Sequence, residues 1–575
     1  MQRWGLVAWP SRFRPSFWDG VALPLVLGAI MLFAWASQQM SVPFQPGEKL
    51  TISLDPAYLP EYALRTVMRM AAALVASLVF SIGYAALAAK SKRAEKLLIP
   101  VLDILQSVPI LGFLSITVTG FIALFPGRLL GYECAAIFAI FTSQAWNMTF
   151  SLYQSFVSVP GDLREASRMY HLSPWLRFWL LEMPFALPQL VWNMMMSVAG
   201  GWFFVVASEA ITVNGDSVLL PGIGSYISVA IDQRNLRAVV YAIIAMIVVI
   251  VIIDQLLFRP LLAWVQRFKF EDTGTDEVDP PWFLVMLERA RIFRALAELI
   301  GVMTALSQRV GTRMPSLPPM KRTKPRTSKA IDMIWSVILI AGATLVAVKV
   351  VYFIRGEVAG SEISHVLLLG AITLLRVLVL IALAAMIWVP IGVWIGLRPN
   401  VAHRVQPLIQ FLAAFPANLL FPIAVVTILH FHLNVEIWIS PLMILGTQWY
   451  ILYNVIAGTL ALPTDYQEVA ATLGVKKWLW WRRLVLPGIF PAFVTGAITA
   501  SGGSWNASIV AEVVKWGDTT LTATGIGAYI AQETDAGDFP RIALGIAVLC
   551  LYVLLFNRLL WRRLYSLAEE RLRLD

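Results

Sequence analysis

Apolar blocks long enough to cross a bilayer recur from one end of this 575-residue chain to the other. A hydrocarbon layer needs roughly 20 apolar residues per helical crossing. Inside it every backbone N–H and C=O must be paired within the chain, which a helix achieves and an open strand does not. Such blocks lie near residues 21–39, 66–89, 98–126, 133–157, 185–212 and 236–263. A second set lies near 331–353, 364–395, 404–431, 436–459, 489–514 and 541–562. Composition agrees: 58% of residues are hydrophobic and 14% charged, against about a quarter charged in a soluble domain. The expected fold is an all-α polytopic membrane protein with about twelve transmembrane helices.

The net charge of +10 would suggest nucleic acid in a soluble protein. Here Lys and Arg gather between the apolar blocks, and membrane lipid headgroups, not nucleic acid, are the expected partner. Lys90, Lys92, Arg93 and Lys96 follow the second block, and Arg164, Arg168 and Arg177 the fourth. Arg398 and Arg404 follow the eighth, Lys476, Lys477, Arg482 and Arg483 the tenth, and Arg562, Arg563, Arg571 and Arg573 close the chain. Loops 40–60 and 213–236 are poorer in both. The positive-inside rule then places both termini in the cytoplasm. Ala34-Trp35-Ala36 resembles a signal-peptidase site, but the parity of the repeat below favours an uncleaved first span. Cys134 and Cys550 sit in apolar blocks with neither metal nor disulfide spacing.

The chain repeats itself. At an offset of 303, "PGDLREAS" (160–167) faces "PTDYQEVA" (463–470), "AGGWFFVVASEA" (199–210) faces "GGSWNASIVAEV" (502–513), and "GIGSYI" (222–227) faces "GIGAYI" (525–530). Earlier, "PVLDILQSVP" (100–109) faces "PLIQFLAAFP" (407–416) at 307, implying a small indel. Two halves with the same loops inside must be separated by an even number of crossings, so six plus six helices form a parallel tandem repeat. The expected domains are residues 1–264, a cytoplasmic linker over 265–330, and 331–575. Within the linker, 282–310 has the pattern of an amphipathic helix lying on the membrane surface.

The loop after the fourth block in each half begins Pro-x-Asp-x-x-Glu. Asp162 and Asp465 are expected to cap a short helix, with Glu165 and Glu468 at its third position. Gly474 then falls where a left-handed residue would end that helix, and His171 holds the same place in the first half. The sequence thus predicts a helix–turn–helix twice, on the cytoplasmic side.

Glu468-Val469-Ala470, then Gly474 and Leu486-Pro487, resembles the cytoplasmic loop signature of binding-protein-dependent ABC importer permeases. Glu165-Ala166-Ser167 with His171 and Met183-Pro184 is a looser copy, departing at His171. The resemblance covers both repeats except the first span of each, and leaves out the linker. It implies two fused six-helix permease units in a bacterial inner membrane. It implies that each loop is a coupling helix docking into a separate ATPase subunit, through Asp162, Glu165, Ala166 and His171 and through Asp465, Glu468, Ala470 and Gly474. The implied partners are two ATPases, identical or different, which carry the ATP and Mg, and an external solute-binding protein. No cofactor is expected in this chain. "GGSWNASIVAEVV" and "GWFFVVASEAI" look like the nitrate, sulfonate, taurine and bicarbonate branch, which implies a small anionic or zwitterionic solute.

The chain has no G-x-x-x-x-G-K-[ST] loop, so any ATP hydrolysis of that kind belongs to another subunit. No catalytic constellation and no metal site is visible, so an enzyme is not expected. Candidate pathway or gate residues are Trp202, Glu209, Trp505, Asn506, Ser508 and Glu512. An ionisable group within a span is a functional candidate by default, although the two glutamates fit a gate or a local pair better than an anion ligand. Asn506 and Ser508 face Phe203 and Val205, making the second half the more polar. Two other readings stay open: an ion-coupled secondary transporter, and an ABC permease for another solute such as a metal ion.

Overall fold

The structure is a computed structural model describing residues 17–40, 42–44, 50–213, 216–265, 282–289 and 329–571. Of the expected linker helix only Trp282–Arg289 falls within these residues, and it is helical. Linker residues 266–281 and 290–328 and the chain ends lie outside them.

The order of elements is the same in the two halves. Helices Phe17–Gln39, Leu59–Lys90, Lys92–Ser107, Ile110–Leu124, Leu130–Ser158, Gly161–Met169 and Pro174–Glu209 lead to a hairpin. That hairpin pairs β1 (Ala210–Val213) with β2 (Asp216–Leu219), and helices Ile223–Asp232 and Leu236–Val265 follow. The second half runs Lys329–Arg355, Gly360–Gly396, Pro399–Ala414, Ala417–His430, Val435–Met443, Gln448–Leu460, Thr464–Thr472 and Lys477–Ala511. Then come β3 (Val513–Trp516) and β4 (Thr519–Thr522), and helices Ile526–Ala536 and Phe539–Ala568. Even the wide π-turns recur at offset 303, at Phe178–Glu182 and Trp481–Val485 and again at Asp254–Phe258 and Asn557–Trp561.

A helix stands at each of the twelve expected positions. Among the described residues, however, six helices are long and apolar enough to cross a membrane, or eight if each of two bent pairs is one span. Proline accounts for the breaks at 108–109 and 415–416. It lacks an N–H and pushes the residue before it out of the helical region. Val108 before Pro109 and Phe415 before Pro416 are both extended, and the second break bends its pair by 78°. Pro441 lies in the irregular turns before a 48° bend that separates Val435–Met443 from Gln448–Leu460. The matching helix of the first half, Leu130–Ser158, runs unbroken. The body is all-α as expected, and two short hairpins accompany its helices. Their backbone groups are paired strand to strand, which meets the same demand.

Two compact units are distinguished, and neither follows the repeat boundary. One comprises Met1–Gln39, Ser151–Trp192 and Ile252–Arg326; the other comprises Met40–Phe150, Asn193–Val251 and Thr327–Asp575. The second holds large parts of both repeats and the groups described next, apart from the first loop.

Candidate functional site

Thr66 and Arg69 are one helical turn apart and face the same side of Leu59–Lys90. Glu209 ends the helix Pro174–Glu209, and the β1–β2 hairpin then returns the chain so that Gly222-Ile223-Gly224 wraps the carboxylate. The Thr66 hydroxyl and Arg69 Nη1 both donate to Glu209 Oε1 at 2.7 Å. The Gly224 N–H donates to Glu209 Oε2 at 2.6 Å, so a free donor at a helix start meets an anion. Arg69 also forks onto Glu133, through Nε at 2.5 Å and Nη2 at 2.7 Å. Arg69, Glu133 and Glu209 are all 0% exposed. A side chain on Gly222 or Gly224 would run into the Glu209 carboxylate. The repeated Gly-x-Gly is therefore a close-approach requirement.

The second half rebuilds this clamp. Thr373 and Arg376 donate to Glu512 Oε1 at 2.9 and 2.8 Å, and the Ala528 N–H donates to Oε2 at 3.1 Å. Arg376 Nη2 reaches Glu436 at 2.9 Å, and Glu436 also accepts from the Thr524 N–H and hydroxyl. Glu209 and Glu512, singled out from sequence, are thus anchors of buried ion pairs and carry no free oxygen toward a pathway. Their partners Thr66, Arg69, Glu133, Thr373, Arg376 and Glu436 were missed. The signal was present: Thr-x-x-Arg recurs at offset 307, inside an expected span both times.

The remaining pathway candidates divide. Trp202 and Trp505 are packed at 2% and 1% exposure, so neither lines an open passage. The Trp505 indole N–H has no partner among the described residues, and nothing in the structure explains it. The Ser508 hydroxyl is buried and donates to Trp505 O in its own helix at 2.8 Å. It is not presented to a solute. Asn506 is half-buried and crosses between the repeats, its Oδ1 accepting from the Ile110 N–H at 2.8 Å. It caps the helix that starts after the Pro109 break. Asn418, just past the matching Pro416 break, donates to Phe203 O at 3.2 Å. Phe203 is the counterpart of Asn506, so each repeat's break is tied to the other's helix at one level.

The two loops adopt the expected helix–turn form. Gly161–Met169 and Thr464–Thr472 are helical, each followed by a left-handed residue, His171 (φ 49°) and Gly474 (φ 66°), with Lys477 (φ 55°) left-handed as well further along the second loop. The expected capping is corrected. Each helix starts two residues before the place that a cap at Asp162 or Asp465 would set, at Gly161 and Thr464, Pro160 gives no side-chain cap, and Asp162 and Asp465 lie within the first turns. There they meet the partial positive charge of the helix start without closing a capping bond. Glu165 and Glu468 are exposed, Ala166 is half-buried and Ala470 is buried.

A duplicated, helical, multi-pass body with matching polar loops defines a two-unit integral membrane transport subunit. Residues 77–259 and 388–565 each match the family described as binding-protein-dependent transport system inner membrane component. Together they cover more than half of the chain, which belongs to this family. A bicarbonate transport system permease protein, CmpB of Synechococcus elongatus, is 32% identical over 177 residues, 31% of this chain and 60% of that protein. A nitrate import permease protein, NrtB of Leptolyngbya laminosa, is 29% identical over 189 residues, 33% of this chain and 64% of that protein. The chain thus spans about 60% of the length of these relatives.

Proposed function

We propose that this chain is the fused permease of an ABC importer for a small anion of the bicarbonate or nitrate type. Separate ATPase subunits drive it through the loops at 161–171 and 464–474, and an external solute-binding protein delivers the solute. Both termini lie in the cytoplasm of a bacterial inner-membrane protein. The observation that carries the coupling is the pair of exposed loops at equivalent places in the two repeats. Met169 and Tyr170 are each 81% exposed, and Leu473 is 73% exposed. Large apolar side chains set outward among charges are what a docking helix offers a partner's cleft.

The test is transport by the chain assembled with its ATPases and binding protein in liposomes. Uptake should require ATP and be blocked by vanadate. Glu468→Lys should abolish uptake and free ATP hydrolysis from control by the loaded binding protein, while membrane insertion stays normal. Undiminished uptake in that variant would remove the docking role. Uptake that follows a proton gradient without ATP would instead favour an ion-coupled transporter.

A further inference from the structure

Residues 476–483 hold four basic side chains, three tryptophans, one leucine and no acid. They lead the second loop into the helix Lys477–Ala511. Trp478 and Arg482 are one turn apart, as are Leu479 and Arg483, so these four share one side of the helix. All four are exposed, Trp478 at 70% and Leu479 at 50%, and so are Lys476 and Lys477. Among the described residues, none of the four cations has a side-chain hydrogen bond or ion pair.

The first repeat is the internal comparison. Trp175, Leu176, Trp179 and Leu180 stand where Trp478, Leu479, Arg482 and Arg483 stand in the second. That side is apolar, and the basic residue of the segment, Arg177, has Glu182 at 3.8 Å. Free cations alone would suit water. Exposed Trp and Leu among them suit a layer that is apolar on one side and anionic on the other. The helix Lys477–Ala511 has 35 residues. At 1.5 Å per residue it outruns a hydrocarbon layer about 30 Å thick, which leaves its first turns for the headgroups.

We propose that this face of the second repeat binds an anionic phospholipid of the cytoplasmic leaflet. Arg482 and Arg483 hold the phosphate, Trp478 and Leu479 lie against the upper acyl chain, and Lys476 and Lys477 add charge. Guanidinium matches phosphate with two parallel donors. The site is one-sided, because the first repeat offers the same interface no unpaired arginine. The leaflet rests on the topology proposed above; the binding does not, and it can be measured without transport.

Native mass spectrometry of the full chain in neutral detergent, titrated separately with phosphatidylglycerol and phosphatidylcholine, tests the site. The parent should retain phosphatidylglycerol in preference. The double variant Arg482→Gln, Arg483→Gln should weaken that binding by about tenfold or more, each arginine beside an anionic surface being worth about fivefold. Binding of phosphatidylcholine should not change, and the variant should melt with the parent, since neither arginine holds a protein group. The control Arg562→Gln, Arg563→Gln removes equal charge from exposed positions in the last helix and should weaken binding by about twofold at most. Equal weakening in the two double variants would reduce the effect to net charge and overturn the site. So would undiminished phosphatidylglycerol binding by the first variant; if that variant also loses ATPase subunits that the parent holds in detergent, the face docks protein instead. A parent that binds phosphatidylglycerol through this face but imports no anion with ATP would sink the transport reading and uphold the lipid site.

Discussion

Arg69 and Arg376 occupy the same place in two copies of one design, yet their surroundings differ. In the first repeat Arg69 is shut in with two carboxylates, all three side chains 0% exposed. In the second, Glu512 is equally buried, but Arg376 is 10% and Glu436 47% exposed. Duplication kept the pairing and let the dielectric diverge. A buried ion pair gains little over apolar packing, but losing one partner strands the other charge at about 3–5 kcal/mol. Arg69→Ala strands two carboxylates and is expected to cause the largest loss of all, to the point of failed accumulation in the membrane. Arg376→Ala strands one and leaves Glu436 to water, so a folded protein with a lowered melting temperature is expected. Equal losses in thermal melts of the two variants would break the comparison.

The carboxylates sharpen it. Glu133→Gln leaves Arg69 buried with half of its fork unfilled, and a cost of about 2–3 kcal/mol is expected for a buried charge-assisted bond. Glu436→Gln removes a half-hydrated charge, and roughly 1 kcal/mol or less is expected after solvent screening. Melting curves of the two variants in one detergent give the ordering. If Glu436→Gln is the more damaging, its bonds to Thr524 count for more than its exposure suggests.

These clamps also mark what could be read in the sequence. Helix positions were legible because apolar blocks and lipid admit few answers, and the duplication was legible because one offset fits three motifs. Gly-x-Gly and the two glutamates were found as repeated letters, but their relation was not. It depends on hairpins that return the chain onto Glu209 and Glu512, and no hydropathy pattern announces four-residue strands. Arg69 and Arg376 were hidden because a basic residue near the start of an apolar block reads as an interfacial charge, and its partners lie 60 to 140 residues further along the chain. The breaks at Pro109 and Pro416 were written in the chain. They were passed over because the apolar runs on either side read as single spans. Ser508 misled because a polar letter does not tell whether its hydroxyl has already bonded its own helix.

The smallest expected effect compares the two loop hinges. Gly474 and His171 both hold positive φ, a region where an L side chain meets its own carbonyl at about 1–2 kcal/mol. Glycine escapes this cost and histidine bears it. Gly474→Ala should therefore destabilise the second loop by about 1 kcal/mol, and His171→Gly should relax the first by a fraction of that, since glycine also loosens the unfolded chain. Global melting will scarcely register either change, so the readout is amide hydrogen exchange over 161–172 and 464–475. Protection should fall in the Gly474→Ala loop and hold or rise in the His171→Gly loop. If both loops lose protection, the histidine side chain is contributing contacts of its own, and the two hinges are not the same device with different residues.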